Sequence, residues 1–502
     1  MPYKHGIEVT EKSTSFPSPM STVYGVQVVF GTAPVNLTKN PQAAVNRPVK
    51  VTSFEEARAL LGYSEDWENF TLCQSMSASF QLFQTNPVVF VNVLNPERHK
   101  RELEEKAYPL KDHKVRIEDA GILLQELKVS IENKVSRVGT AKAGQAVTAQ
   151  EKEFLEENKD YIADFDDYGH LIITVLSTGK AYDAAALSVS GQKLAPELVN
   201  YEEVIGSYNS VTGEETGLEV LRQVYPKCGV IPGVLLAPGW TENANVGAAL
   251  QGKCEDINGA FRCMCLLDLD ASQVQKYTEV GEEKKKMGYD DAHSIVLWPK
   301  LIKDGKKYSY SAVYGAMMSY YTAVNNDVPY LYPSNKELNV DGAILADGTE
   351  VWLDQVQAGV VNGDGVVTVL RGTGWKSYGN NTGCYPDNTD PKDRWIGCRR
   401  MFDYVANYFT VQYHKRLDEN MNRRLVDDIV NGFNIWGNAL KSAGMCAGLY
   451  AEYHEEENTI EDVLSGHMKL RIHFAPFTPA EYIHARMEFD VGALEAVMTQ
   501  EG

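Results

Sequence analysis

The residues best spaced for chemistry are the two carboxylates of Asp268-Leu269-Asp270-Ala271-Ser272, which directly follow an apolar run. Such a pair could hold Mg²⁺ while one carboxylate attacks a phosphoryl group, as in phosphatases of the haloacid dehalogenase type. That chemistry wants its first Asp near the first strand and a later Lys with an acidic pair, and two acids at a strand-to-helix junction also serve as helix caps. His467, His473 and His484 lie close enough in sequence for a metal site, but on polar strand faces such histidines are more often solvated or hydrogen-bonded. Asn362-Gly363-Asp364-Gly365 has the outline of a calcium loop without the spaced acids and closing Glu of an EF-hand, so between Val360 and Val366 it reads as a hairpin turn. There is no G-x-S-x-G, Walker loop or G-x-G-x-x-G. The expectation is a protein that is not an enzyme, with no catalytic residue, metal or cofactor; a Mg²⁺-dependent phosphatase using Asp268 and Asp270 is the alternative.

The elements that would position Asp268 read as an α/β layer. Thr22 to Gly31 is a buried strand, Ser53 and Glu56 form a capping box before Ala57 to Leu61, a helix fits Trp67 to Phe83, and a strand fits Val88 to Leu94. The pattern resumes with a strand over 229–236, the turn Ala237 to Trp240, a helix over 243–251 and a strand over 261–267, most simply a parallel β-α-β unit. Ile295 to Trp298 and a helix over 311–324 follow. Between these blocks, residues 102–200 change to short alternating pieces such as Val115 to Ile117 and Leu171 to Leu176, the texture of an inserted β-rich domain. The α/β core is thus expected over 22–101 and 201–394.

Residues 395–491 switch period part-way. Phe402, Val405, Phe409 and Tyr413, then Leu425, Ile429, Phe433, Trp436 and Leu440, are spaced by threes and fours and predict two helices with one buried face each. Met468, Leu470, Ile472 and Phe474 alternate with polar residues, as do Ile483, Ala485, Met487 and Phe489, predicting half-buried strands. The last strand leaves an open edge, a natural donor to another chain. At the other end, Ile7 and Val9 alternate with Glu8 and Thr10, and Pro17 and Pro19 fall in a polar connector. Nine extended residues reach about 30 Å, so residues 1–21 read either as a frayed terminus or as a tethered strand able to reach a neighbouring molecule.

The totals exclude several classes. A length of 502 residues implies two to four domains, and no run of about 18 apolar residues could span a bilayer. Met1 to Lys12 lacks the pattern of a secretory signal, which points to a cytoplasmic site of synthesis. Eight cysteines without a C-x-x-C pair suggest reduced thiols. A formal charge of −20 opposes binding to nucleic acid or anionic membrane. Against that background, residues 395–445 hold seven Lys and Arg against five Asp and Glu, a net +2 that fits a solvated helix face with internal ion pairs or, more sharply, a basic strip meeting an acidic partner.

Several stretches together resemble the contractile tail sheath proteins of P2-type myophages and R-type bacteriocins. They are His5 to Val9 with Gly31 to Pro34, Ala237 to Trp240, the strand ending in Asp268, and Tyr332 to Lys336. The C-terminal run is the most specific: Arg399-Arg400, Asn420 to Arg424, Asn434, Gly444 to Gly448, Asn458, Gly466 and Ala480 to Ile483. The resemblance spans most of the chain outside 102–200. It implies a multidomain α+β or α/β fold: an α/β sheath core, an outward insertion at 102–200, and a C-terminal inner domain at 395–491, with 492–502 as a tail. The C-terminal sheet would be completed by strands from neighbouring subunits, with Ile7, Glu8, Val9, Thr10, Ile483, Ala485, Met487 and Phe489 as linking residues. Lys415, Arg416, Arg423 and Arg424 become candidates to face a tail tube. The implied partners are further copies in stacked six-membered rings, the tail tube protein, and baseplate and tail terminator proteins, without nucleic acid or membrane insertion. The implied setting is a virion tail or bacteriocin particle assembled in the bacterial host cytoplasm, working without nucleotide by contraction that drives the tube through a target envelope. A non-contractile tail assembly protein is the alternative within the same setting.

Overall fold

A computed structural model describes residues 20–499 apart from 22, 137–147, 167 and 168. Its largest sheet is built from β1 (Val26–Gly31), β2 (Pro48–Val51), β3 (Val88–Asn92), β4 (Pro232–Leu236), β5 (Met264–Asp268), β6 (Ser294–Leu297), β7 (Val366–Arg371) and β8 (Trp375–Tyr378). They lie in the order β8-β7-β6-β5-β4-β1-β3-β2. Every inner pair is parallel, whereas the edge strands β8 and β2 run antiparallel to their neighbours. Parallel strands covered on both faces must be apolar along their length. Accordingly, every residue of β1, β5 and β6 is buried.

Local chemistry sets the helices around this sheet. Ser53 Oγ accepts the Glu56 N–H at 3.2 Å and starts α1 (Phe54–Leu61). The Glu56 carboxylate turns to the N–H and hydroxyl of Thr52 instead of Ser53, so only half of the expected capping box forms. The helix expected over 67–83 is shorter, running from Leu72 to Ser77 and widening into a π turn over Ala78–Leu82. Asn243 caps α2 (Ala244–Gln251), and α3 (Tyr310–Val324) packs on β1, β4 and β5. Gly315 permits that approach, because a Cβ there would lie 2.9 Å from Gln27 Oε1.

The hairpin expected at 362–365 is not formed. Asp354 caps a helix, α4 (Gln355–Gly363), through the N–H groups of Val356 and Gln357, and Gln357 returns a bond to the Asp354 N–H. The Asn-Gly-Asp-Gly run is therefore the exit of a helix into β7. Asn362 Nδ2 donates to Val366 O and Tyr378 O, closing the corner. A strong cap upstream outweighed the turn signal.

Between β3 and β4 the chain forms two antiparallel sheets with a hydrophobic cluster of their own that includes Leu103, Ile117, Val129, Leu171 and Leu187. Lys100–Pro109, which enters this region, pairs along its length with Ala186–Leu194, which leaves it. Entry and exit therefore sit side by side, and β1 can still pair with β4 across the interruption through Val28 and Leu235.

After β8 come α5 (Ile396–Tyr413), α6 (Arg423–Ser442) and a two-stranded sheet of β9 (Gly448–Glu452) and β10 (Arg471–Ala475). They share a further cluster containing Met401, Val405, Phe433, Leu440, Leu449 and Ala451. The last described helix is α7 (Val491–Thr499).

Candidate assembly surface

The carboxylate pair after β5 is committed to the fold. Asp268 is 4% exposed, and its carboxylate accepts the N–H of Ser311 at 2.8 Å and the Ser311 hydroxyl at 2.5 Å. Burial pushes its pKa up to about 6, with the Ser311 bonds pulling the other way. Asp268 thus fastens the first turn of α3 to the end of β5. Asp270 Oδ1 accepts the Ser272 N–H at 2.8 Å, and nearby Lys300 is paired with Glu242. His473 stacks on Tyr450 with ring centroids 4.7 Å apart, and His484 lies beside Tyr482. Among the described residues no three His, Cys, Asp or Glu side chains are arranged to hold a metal ion.

Helix α5 is locked to the core by buried polar groups. Asn407 accepts the Arg262 N–H at 2.9 Å and donates to Arg262 O at 2.7 Å, imitating a strand partner just before β5. Arg399 reaches Asp403 at 2.9 Å and Asp393 at 3.2 Å, and Asp403 lies 3.3 Å from Nε2 of the buried His293 at the start of β6. Burial alone would depress the His293 pKa, but Asp291 and Asp403 outweigh it and hold the value near 9, so the ring carries its charge at neutral pH. Arg400 is buried as well and donates to Thr322 Oγ1. The basic strip inferred from composition therefore loses both arginines: they hold α5 in place and face no outside partner.

Of the five basic residues that remain, Lys441 is exposed in the last turn of α6 and the other four lie at the α5–α6 turn. Lys415, Arg423 and Arg424 are exposed and Arg416 is half-buried. Arg416 pairs with Glu419 at 3.2 Å and Arg423 with Asp427 at 3.1 Å. Arg423 and Arg424 open α6, whose first turn holds no acidic residue. Cations at that end oppose the helix dipole, so helix stability does not explain them.

The sheet beside this hairpin is half finished. Asn434 on α6 accepts the Ala451 N–H at 2.6 Å and donates to Ala451 O at 3.1 Å, which covers the outer edge of β9. Ala451 therefore turns its backbone away from β10, and alternation turns the N–H and C=O of its partner Ile472, and of Phe474, toward the opposite edge. No described strand pairs there. Beyond β10 the chain is held to the body by Tyr332, whose hydroxyl donates to Phe477 O at 2.9 Å, and by Arg394 beside Glu481 at 3.6 Å. It then leaves. Residues 482–490 have no secondary structure and are all exposed, with Ile483 at 83%, Met487 at 94% and Phe489 at 77%. The expected half-buried strand is absent from the single subunit, because the alternating residues have no surface of their own chain to cover. The N-terminal positions Ile7, Glu8, Val9 and Thr10 lie outside the described residues.

No protein-family model matches the chain. It is 22% identical over 496 residues to the tail sheath protein of Burkholderia phage BcepMu, covering 95% of each chain. It is 23% identical over 304 residues to the tail sheath protein of Escherichia phage P2, covering 59% of this chain and 71% of that one. Over nearly its whole length the chain is thus similar to tail sheath proteins. Two cryo-EM structures share its mixed α/β multidomain fold. One is a chain of the anti-feeding prophage baseplate, 13% identical with a TM-score of 0.56, covering 98% of this chain and 100% of that one. The other is a chain of the PVC sheath complex of an extracellular contractile injection system in the contracted state, 12% identical with a TM-score of 0.54, covering 98% and 99%.

Two features of this chain escaped the sequence reading. One is the clamping role of asparagines, two of which, Asn434 and Asn458, the resemblance had already picked out: besides Asn407 and Asn434, Asn458 donates to His454 O and Lys469 O and accepts the Lys469 N–H at 2.7 Å. Asparagine matches one backbone donor and one acceptor, but periodicity cannot say which backbone it will meet. The other is an apolar groove of about 670 Å³ between the helix hairpin and residues 466–472, lined by Phe409, Tyr413, Leu425, Ile429, Leu470 and Ile472 among others.

Proposed function

We propose that this chain is the repeating subunit of a sheath that polymerises around a tail tube and contracts to drive that tube through a target cell envelope. The observation that carries the reading is the mismatch at the C-terminus: an unpaired strand edge on β10 and, in the same chain, an alternating segment at 482–490 with nothing beneath it. Each supplies what the other lacks when copies are joined. In the assembly, Ile483, Ala485, Met487 and Phe489 of one copy extend the sheet of another, and Ile7 to Thr10 add a further strand. Lys415, Arg416, Arg423 and Arg424 face an acidic surface on the tube. Rings of six copies stack from a baseplate to a terminator in the tail of a virion or bacteriocin-like particle, with assembly in the host cytoplasm. Contraction draws on surface buried when a strained, extended packing relaxes into a tighter one, so it requires no nucleotide.

Deletion of residues 1–20 is the test. The truncated chain should remain a folded monomer, with an unchanged melting temperature, and should fail to polymerise. Normal sheath tubes from that truncation, seen by electron microscopy, would contradict the linking role.

A further inference from the structure

Helix α7 is formed but unused. Ala493 N–H donates to the Asp490 side chain at 3.0 Å, which caps its first turn, yet none of its residues is buried. At 3.6 residues per turn, Val491, Leu494, Val497 and Met498 share about a third of the circumference. All four are more than half exposed, Met498 at 78%. Glu495 is the one charged residue between 491 and 499. A helix this short is marginal in water on its own, since isolated helices below about 12–15 residues scarcely form.

The groove between the helix hairpin and residues 466–472 has the complementary character. Its walls include Phe409, Tyr413, Leu425, Ile429 and Leu470, charged residues such as Glu419 also line it, and no residue of α7 does.

We propose that α7 of one copy seats its apolar face in this groove on a neighbouring copy, as a second anchor beyond the strand at 482–490. The inference rests on the reading of that strand as an addition to β10, and strand direction supports it. β10 runs from Arg471 to Ala475. A strand added antiparallel enters near Ala475 and leaves past Arg471. Residues 482–490 span about 30 Å at 3.4 Å per residue, more than β10 needs, so the incoming chain reaches residues 466–470 as α7 begins. Those residues form the mouth of the groove. A parallel addition would deliver the helix to the opposite end. The proposal therefore commits to a second copy as the occupant, with its strand antiparallel to β10 and its helix following.

The test uses the full chain. Benzoylphenylalanine in place of Met498, in sheaths assembled from mixed isotopically light and heavy subunits, should crosslink between copies to peptides containing Tyr413, Leu425 or Leu470. Crosslinks confined to one copy, or to any other surface, would overturn the proposal. Leu494→Asp should leave the monomer's melting temperature unchanged while raising the critical concentration for tube formation roughly tenfold or more. Leu470→Asp should give a similar rise, and the double variant little beyond either single one. An unchanged critical concentration in Leu494→Asp would remove the helix site and leave the strand reading intact. If the unmodified chain formed no tubes at all, the sheath reading would fail with it.

Discussion

Replacing Asp268 by Asn separates a carboxylate that acts from one that holds the fold. In the structure the group is buried, and its pKa stands near 6 against an ordinary value of 3.8. Because the folded pKa is raised, the folded state binds a proton that the unfolded state has already lost between about pH 4 and pH 6. Stability from this group is therefore full below the unfolded value and declines as pH rises through the folded one. A displacement of about two pH units at 1.36 kcal/mol each amounts to about 3 kcal/mol. Asn keeps an oxygen for the Ser311 N–H but has no charge to desolvate. The stability gap between Asp268→Asn and the unmodified chain should then shift by about 3 kcal/mol in favour of the variant from pH 3.5 to pH 7.5. Urea denaturation of the unassembled subunit, followed by tryptophan fluorescence across that range, measures it. A gap that does not change with pH, or a variant several kcal/mol less stable at pH 7.5 alone, would refute the argument. Magnesium-dependent phosphatase activity lost specifically in this variant would restore the catalytic reading.

The remaining predictions concern the C-terminal unit. Phe433→Ala empties a fully buried site that packs against Phe409 and Trp436, and should cost about 3–5 kcal/mol in a thermal or urea melt. The His293 pKa is raised to about 9, so its stabilisation of the joint between β6 and α5 is complete below pH 6.5 and is lost as pH rises through 9. Hydrogen exchange of α5 should accelerate over that window in the unmodified chain and show no such pH step in His293→Gln. Lys415→Glu with Arg424→Glu changes exposed positions, so folding should be unaffected. Co-sedimentation with tail tubes should weaken, and its dependence on salt should flatten; binding that keeps both its strength and its salt dependence would remove these residues from the tube-facing surface.

Much of the core was legible because its elements obey simple periods. The apolar runs at 22–31, 229–236 and 261–267 read as strands and hold buried strands at 26–31, 232–236 and 264–268, and the spacing of Leu425, Ile429, Phe433 and Leu440 marks one face of a helix. The errors came where a local signal met a stronger one. Asn362 to Gly365 has hairpin chemistry, but the Asp354 cap had already committed the preceding residues to a helix. Arg399 and Arg400 counted as surface charge until α5 was packed against the core, where Asp393, Asp403 and Thr322 receive them.

By itself, the sequence determined that residues 482–490 alternate like a strand, and that Ile7 and Val9 do the same at the other end. It also carried enough family pattern to indicate a sheath. Only the tertiary structure decided that the C-terminal alternation has no surface of its own to cover, that Asn434 closes one edge of the small sheet and leaves the other open, and that a groove lies between the helix hairpin and residues 466–472. The reason is physical: alternation records which side chains want burial, whereas the identity of the covering surface depends on long-range packing, and here that surface is missing from the single chain.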